Sequence, residues 1–146
     1  MDGITFKLVE NDSELEGAFQ VRRVVFIEEQ KIDEDEEYDG LDHEALQMIV
    51  KNGDETIGTA RVRVLSEDVA KIERMAVLRP FRRKGIGSGI MSFLASELTM
   101  RHIKHVVLHA QYIVIPFYEA CGYSTRGSPF WEAGIKHIKM ERQITD

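Results

Sequence analysis

The sequence predicts one mixed α/β domain built on a central, mostly antiparallel sheet. Three observations carry that expectation. Asn52-Gly53-Asp54 separates two strand-like runs, and an Asn-Gly pair between such runs is a strong hairpin signal. The alternating run Lys71 to Leu78 leads into a glycine-rich segment and then an amphipathic helical stretch. The chain has 146 residues with no repeat, no low-complexity tract and no linker, a length typical of one domain.

Taken in order, Ile4 to Val9 alternates apolar and polar residues and predicts a short strand. Asn11-Asp12-Ser13 ends it and can cap the next helix, predicted from about Asp12 to Gln30 by the spacing of Leu15, Ala18, Phe19, Val21, Val25 and Phe26. The acidic run Asp33 to Glu37 with Tyr38-Asp39-Gly40 reads as a connection of one helical turn at most. Ala45 to Val50 and Thr56 to Leu65 form the hairpin, and Lys71 to Leu78 is the next strand. Beyond the glycines, Ile86, Ile90, Phe93, Leu94 and Leu98 share one helical face. Val106 to His109 is a short strand. Ile113 to Cys121 is a helix closed by Gly122, at the position where a left-handed residue commonly ends a helix. Strands around Tyr123 and at Ile135 to Met140 complete the chain.

Composition narrows the function. Hydrophobic residues at 43% and charged residues at 30% are ordinary for a globular protein, and at this length roughly 68–70% of the unfolded surface is buried on folding. A net charge of −6 argues against a general nucleic-acid binder. Cys121 is the only cysteine, which excludes an internal disulfide or a cysteine-rich metal site and fits a reducing compartment. The first residues lack a basic segment followed by an apolar run, and no stretch approaches the ~18 apolar residues of a membrane span. The expectation is a cytoplasmic protein that engages neither membrane nor nucleic acid. The five histidines show no paired metal-ligand spacing, so no metal is expected.

Against that acidic background, Arg79-Pro80-Phe81-Arg82-Arg83-Lys84-Gly85-Ile86-Gly87-Ser88-Gly89 concentrates four cations and three glycines. A helix N-terminus offers unpaired backbone N–H groups and a partial positive charge, so a glycine loop entering one suits a phosphate. Two familiar phosphate loops do not fit. A Walker A loop needs Gly-Lys followed by Ser or Thr, whereas Ser88-Gly89-Ile90 follows Gly87. A dinucleotide fingerprint needs its third glycine three residues after the second and an acid about 20 residues on, where Lys104-His105-Val106 stands. What remains is Arg82-x-x-Gly85-x-Gly87 between a strand and a helix.

At these residues the chain resembles the GNAT superfamily of N-acetyltransferases, whose pyrophosphate loop reads Arg/Gln-x-x-Gly-x-Gly/Ala. Ile72-Glu73-Arg74-Met75-Ala76-Val77 looks like that family's fourth strand. Pro116-Phe117-Tyr118-Glu119-Ala120-Cys121-Gly122-Tyr123 looks like its Phe-Tyr-x-x-x-Gly-Phe block. Arg22-x-x-Val25-Phe26-x-x-Glu29-Gln30, Ala110-Gln111 and Glu132-x-Gly134-Ile135-x-His137-x-x-Met140 are similar to the ElaA-like branch. The resemblance covers nearly the whole chain. It implies the GNAT acyl-CoA N-acyltransferase fold: an α/β (α+β) domain over residues 1–146 whose sheet has six to seven strands, flanked by about four helices.

The resemblance also implies a chemistry: acetyl transfer from acetyl-CoA to a primary amine by direct attack in a ternary complex. The cofactor would lie where the fourth and fifth strands splay, its pantetheine against Met75, Ala76 and Val77. Its pyrophosphate would take the N–H groups from Arg82, Arg83, Lys84, Gly85, Ile86 and Gly87 to Ser88, with the cations of Arg79, Arg82, Arg83 and Lys84 in reach. Phe117 and Gln111 would adjoin the cofactor. An alkyl ammonium near ~10.4 must lose a proton and a thiol near ~8.5 must regain one. Tyr118 matches the family's general acid and Glu73 a position used for its base, although strand alternation can equally aim Glu73 at a neighbouring cation. His109 is a second candidate base.

For the acceptor, Arg22, Glu29, Gln30, His109 and His137 either line a pocket or tie the first helix to the sheet. The acidic run Asp33 to Glu37, with Asp39 and Asp42, either attracts a cationic amine or is solvated surface. The expected acceptor is a small-molecule amine, and family analogy extends to a homodimer. The alternatives are a protein or peptide amine as acceptor, and a non-catalytic acetyl-CoA-binding regulatory module. A cysteine or serine hydrolase is disfavoured, because Ser88 lacks the Gly-x-Ser-x-Gly elbow and Cys121 has no partner implied by spacing.

Overall fold

In a computed structural model that describes residues 3–144, seven strands form one sheet. The outermost residues of the expected 1–146 domain, 1–2 and 145–146, lie outside the described part. The strands are β1 (Ile4–Leu8), β2 (Leu46–Asn52), β3 (Glu55–Val64), β4 (Val69–Val77), β5 (His105–Gln111), β6 (Ser124–Glu132) and β7 (Ile135–Gln143). Their spatial order is β1-β2-β3-β4-β5-β7-β6, and every pair is antiparallel except β4 with β5. The helices are α1 (Asp12–Arg22), α2 (Glu34–Glu37), α3 (Ile86–Met100) and α4 (Ile115–Ala120). Among the described residues no helix is long and apolar enough to cross a membrane.

Each helix boundary has a local cause. The Asn11 side chain accepts from the Glu14 N–H at 2.9 Å and starts α1. The stretch expected to run as one helix to Gln30 changes form after Arg22: Arg23–Glu29 widens to i→i+5 bonding, closed by the Gln30 N–H donating to the Val25 carbonyl at 3.2 Å. Gly122, at φ +93°, follows α4, and the Tyr123 N–H returns to the Tyr118 carbonyl at 3.0 Å.

Two apolar layers sandwich the sheet. On one side the buried α3 residues Ile86, Ile90, Met91, Leu94 and Leu98 pack on Ile72, Val106, Leu108, Ile138 and Met140. On the other, Val21, Val25 and Phe26 cover Ala76. That second layer is partly ionic. Arg22 and Arg61 are both 0% exposed. The Arg22 guanidinium donates to Glu37 Oε2 (2.7 Å) and Asp42 Oδ1 (2.6 Å) and sits over the rings of Phe19 and Tyr38. Arg61 donates to both oxygens of Asp39 (2.9 and 2.8 Å), and Arg74 reaches the Glu36 and Glu37 carbonyls. These contacts fold the segment after α1 back over β3 and β4.

Removing one member of a buried ion cluster strands its partners. Arg22→Ala is therefore expected to lower unfolding free energy by about 3–5 kcal/mol, read from urea denaturation followed by circular dichroism.

Candidate functional site

The parallel pairing of β4 with β5 runs only from Val69/His105 to Ile72/Leu108, while β4 continues to Val77 and β5 to Gln111. Between the diverging ends lies a cleft of about 670 Å³. A bulge in β4 shapes its wall. Arg61 pairs with Glu73 and Thr59 with Ala76, so Arg74 and Met75 together oppose Ala60. Arg74 takes φ +55° there, an uncommon conformation for a side chain of its size. Its hydrogen bonds to the 36–39 segment hold it in place.

At the end of the cleft, Gly85 stands at φ +82° and α3 begins. The first bond of that helix is donated by the Gly89 N–H to the Gly85 carbonyl at 2.9 Å. The N–H groups of Ile86, Gly87 and Ser88 precede it and have no partner within the helix. A β-carbon on Gly87 would stand 3.2 Å from the Phe117 ring, so this turn is packed against the cleft wall.

Of the sequence-predicted residues, Met75, Ala76, Val77, Arg82, Gln111, Phe117, Tyr118, Glu73, Gln30, His109 and His137 line the cleft together. Arg22 and Glu29 do not, and the predicted loop residues that follow Arg82, namely Arg83, Lys84, Gly85, Ile86, Gly87 and Ser88, lie outside that lining, joined to it where Gly87 packs on Phe117. Arg22, expected to line a pocket or tie α1 to the sheet, is the tie: it is fully buried among carboxylates. Glu29 bridges Arg79 at 3.4 Å and Arg82 at 3.0 Å. Arg82 is accordingly engaged, with its Nε donating to the Val77 carbonyl at 2.8 Å. The acidic run divides between uses. Glu37, Asp39 and Asp42 turn inward onto arginines, Asp33 caps α2 and Glu34 pairs with Arg23.

Glu73 is surrounded by cations. Its Oε1 accepts from Arg61 (3.0 Å) and Arg63 (2.6 Å), and its Oε2 lies 3.2 Å from both Arg63 and Lys71. Burial by itself would raise this carboxyl, but the Arg63 hydrogen bonds and the charges of Arg61 and Lys71 outweigh it and bring it down to about 2. Asp39 is likewise held well below the usual range, chiefly by Arg61.

Tyr118 is half-buried, edge-on to Phe117 (5.0 Å) and Tyr123 (6.2 Å). Burial pushes its phenol up to about 12, with a smaller push from Cys121. Gln111 Nε2 donates to Gln30 Oε1 at 2.9 Å across the cleft. His109 Nδ1 meets Glu132 Oε2 at 3.1 Å. The buried His137 donates from Nδ1 to the Ile135 carbonyl at 2.7 Å and stacks on Phe130. Arg61, Arg63 and Lys71 carry no motif of their own, and Glu132 enters the sequence reading only through the Glu132-x-Gly134-Ile135-x-His137 pattern. For Arg61 and Arg63 the available signal is the strict alternation of Arg61-Val62-Arg63, which puts two cations on one face of a strand.

The chain matches the acetyltransferase (GNAT) domain over residues 11–144. The Bacillus subtilis (strain 168) protein YjcF, described as an uncharacterized N-acetyltransferase, is 34% identical over 134 residues, covering 91% of this chain and 95% of that protein. Escherichia coli ElaA shares the fold at TM-score 0.81 and 24% identity, over 95% of this chain and 97% of that one. A GNAT family acetyltransferase from Elizabethkingia anophelis, solved with acetyl-CoA bound, does so at TM-score 0.77 and 15% identity, over 98% and 99%.

Because the folded-state pKa of Glu73 lies below that of an unfolded carboxylate (~4.3), its contribution is complete above that range and is lost as pH falls toward about 2. Glu73→Gln should cost about 3 kcal/mol at pH 7. Urea titrations at successively lower pH should show parent and variant converging.

Proposed function

The chain belongs to the GNAT acetyltransferase family, enzymes that draw an acetyl group from an acyl-CoA, and from that premise we propose that it acetylates the primary amine of a small molecule by direct attack in a ternary complex. The observation that carries this reading is the parting of β4 from β5 beside the unpaired N–H groups that open α3. A pantetheine arm along the Met75–Val77 edge that β5 leaves unpaired, part of it now held by Arg82 at the Val77 carbonyl, and a diphosphate on Ile86, Gly87 and Ser88 are the ligand groups that such donors and acceptors match. Acetyl-CoA is the co-substrate in this account. Arg83, Lys84 and Gly85 shape and charge the turn, and Arg82 either exchanges Glu29 for phosphate or braces the loop through the Val77 carbonyl.

The thioester then lies beside Tyr118. Burial moves the phenol further from a thiol's acidity (~8.5) than its ordinary value near ~10 would be. It is therefore protonated throughout the neutral range. It acts by donating a hydrogen bond to sulfur as charge develops there, and solvent ultimately supplies the proton through that hydroxyl. Glu73 has both oxygens committed to cations, and in this reading it fixes the electrostatics of β4. A cleft of about 670 Å³ that must also hold a pantetheine arm leaves room for a small acceptor.

The test is free-thiol release across a panel of polyamines, aminoglycosides, amino sugars and peptide N-termini, and stimulation by peptides alone would overturn the small-molecule assignment. Tyr118→Phe should lower kcat on the order of 10²-fold with acetyl-CoA affinity nearly unchanged; normal turnover would remove Tyr118 from the mechanism. Gly87→Glu places a carboxylate where the diphosphate would sit, beside the Phe117 ring, and should abolish calorimetric binding of coenzyme A.

A further inference from the structure

Direct attack requires something to take a proton from the amine, and the carboxylate expected at that place is fully occupied by Arg61, Arg63 and Lys71. The opposite wall of the cleft carries a different arrangement. His109 stands near the end of β5, one residue beyond the last β4–β5 pair, and Glu132 ends β6. Both line the cleft, and neither side chain is buried, at 29% and 46% exposed.

Their contact fixes the chemistry of the ring. An ionised carboxylate only accepts hydrogen bonds, so the 3.1 Å contact requires the proton on His109 Nδ1. In the neutral ring that leaves a lone pair on Nε2. Phe130 meets the imidazole edge-on at 4.9 Å and limits its rotation. An imidazole that lines the cleft and is oriented by a carboxylate has the build of a general base with its positioning residue.

We propose that His109, oriented by Glu132, takes the proton from the acceptor amine. The proposal rests on the N-acetyltransferase reading and names the base within it. The amine nitrogen bonds to the thioester carbonyl carbon, and its proton passes to His109 Nε2. As the carbon–sulfur bond breaks, the sulfur leaves with the electron pair and is protonated through Tyr118. His109 returns its proton to solvent. Glu132 has a second part: its carboxylate, kept ionised first by the His109 hydrogen bond, draws an ammonium ion toward that wall.

The charged surroundings are mixed. By strand register the face that carries His109 also carries Lys71 and Glu73 of β4, His137 and Lys139 of β7 and Arg126 of β6, with Gln111 on its own strand. Lys71 and His137 act on Glu132 as well as His109 does, so the carboxylate is the centre of a small cationic group.

The experiment uses the full chain and the amines of the panel above. His109→Gln should lower kcat at least 10²-fold while calorimetric affinity for acetyl-CoA and the thermal unfolding midpoint hold. The loss should be greatest with the most basic amine and least with the least basic, a gradient that a purely structural staple would not produce. Added imidazole should restore turnover to His109→Ala. Glu132→Gln should raise KM for the amine and lower kcat by a smaller factor than His109→Gln. Turnover by His109→Gln close to the parent's, or an equal loss for every amine with no imidazole rescue, overturns the proposal. Loss of acetyl-CoA binding in His109→Gln overturns it too, by moving His109 to the cofactor site, and leaves the N-acetyltransferase reading standing. A parent protein inactive toward the whole panel would sink both.

Discussion

Parallel pairing between β4 and β5 lasts four residues, and every backbone group beyond Ile72 and Leu108 on the facing edges must find another partner. That constraint makes the cleft. It is held by two devices, the β4 bulge with Arg74 in a left-handed conformation and the packing of different helical segments against the two faces of the sheet. The Val25–Phe26 layer covers Ala76 on one face, while α3 grips Leu108 and Ile72 on the other. A bulge adds twist to its strand, so the separation is built into the sheet and needs no ligand to open it.

The ionic layer follows from the same geometry. The bulge turns Arg74 toward the 36–39 segment, and the alternation of β3 sets Arg61 and Arg63 beneath it. Charges buried this way lose hydration, and that loss is offset only where each is matched, which is why Arg22, Arg61, Glu37, Asp39 and Asp42 form one connected set. Its consequence for chemistry is to quieten Glu73: a carboxylate that neutralises several cations is a poor proton acceptor. In the proposal above the functional load shifts to the wall carrying β5 and β6, where His109 and Glu132 line the cleft and meet at 3.1 Å.

Much of this architecture was legible in the sequence, because it is written locally. The hairpin at Asn52-Gly53-Asp54, the Asn11 cap, the glycine turn before α3 and the Gly122 terminus each depend on residues within one turn of the chain. The fold class, with its mostly antiparallel sheet of six to seven strands, followed from the motif resemblance, whereas the order β1-β2-β3-β4-β5-β7-β6 is set by long-range pairing. What escaped was set by contacts between distant segments. Helical spacing to Gln30 is real, but the widening of Arg23–Glu29 gives no periodic signal of its own. The role of Arg22 was left open between pocket and tie, since the choice depends on Glu37 and Asp42 folding back 15 and 20 residues away. Arg82 carried a phosphate expectation from its loop, yet its carboxylate partner Glu29 lies 53 residues earlier. In the sequence Glu132 is visible only as part of a motif, because its partner His109 is 23 residues off on another strand.

The central claim is that coenzyme A occupies the splay, its arm on β4 and its diphosphate on the start of α3. Amide hydrogen exchange with and without coenzyme A tests this directly, since the N–H groups of Ile86, Gly87 and Ser88 have no partner within α3 and β4 lacks a β5 partner beyond Ile72. The account predicts slowed exchange at Met75–Val77 and at Ile86–Ser88, with the β6–β7 hairpin tip unchanged. Calorimetric binding accompanied by unchanged exchange at those amides, and protection at another surface, would contradict it.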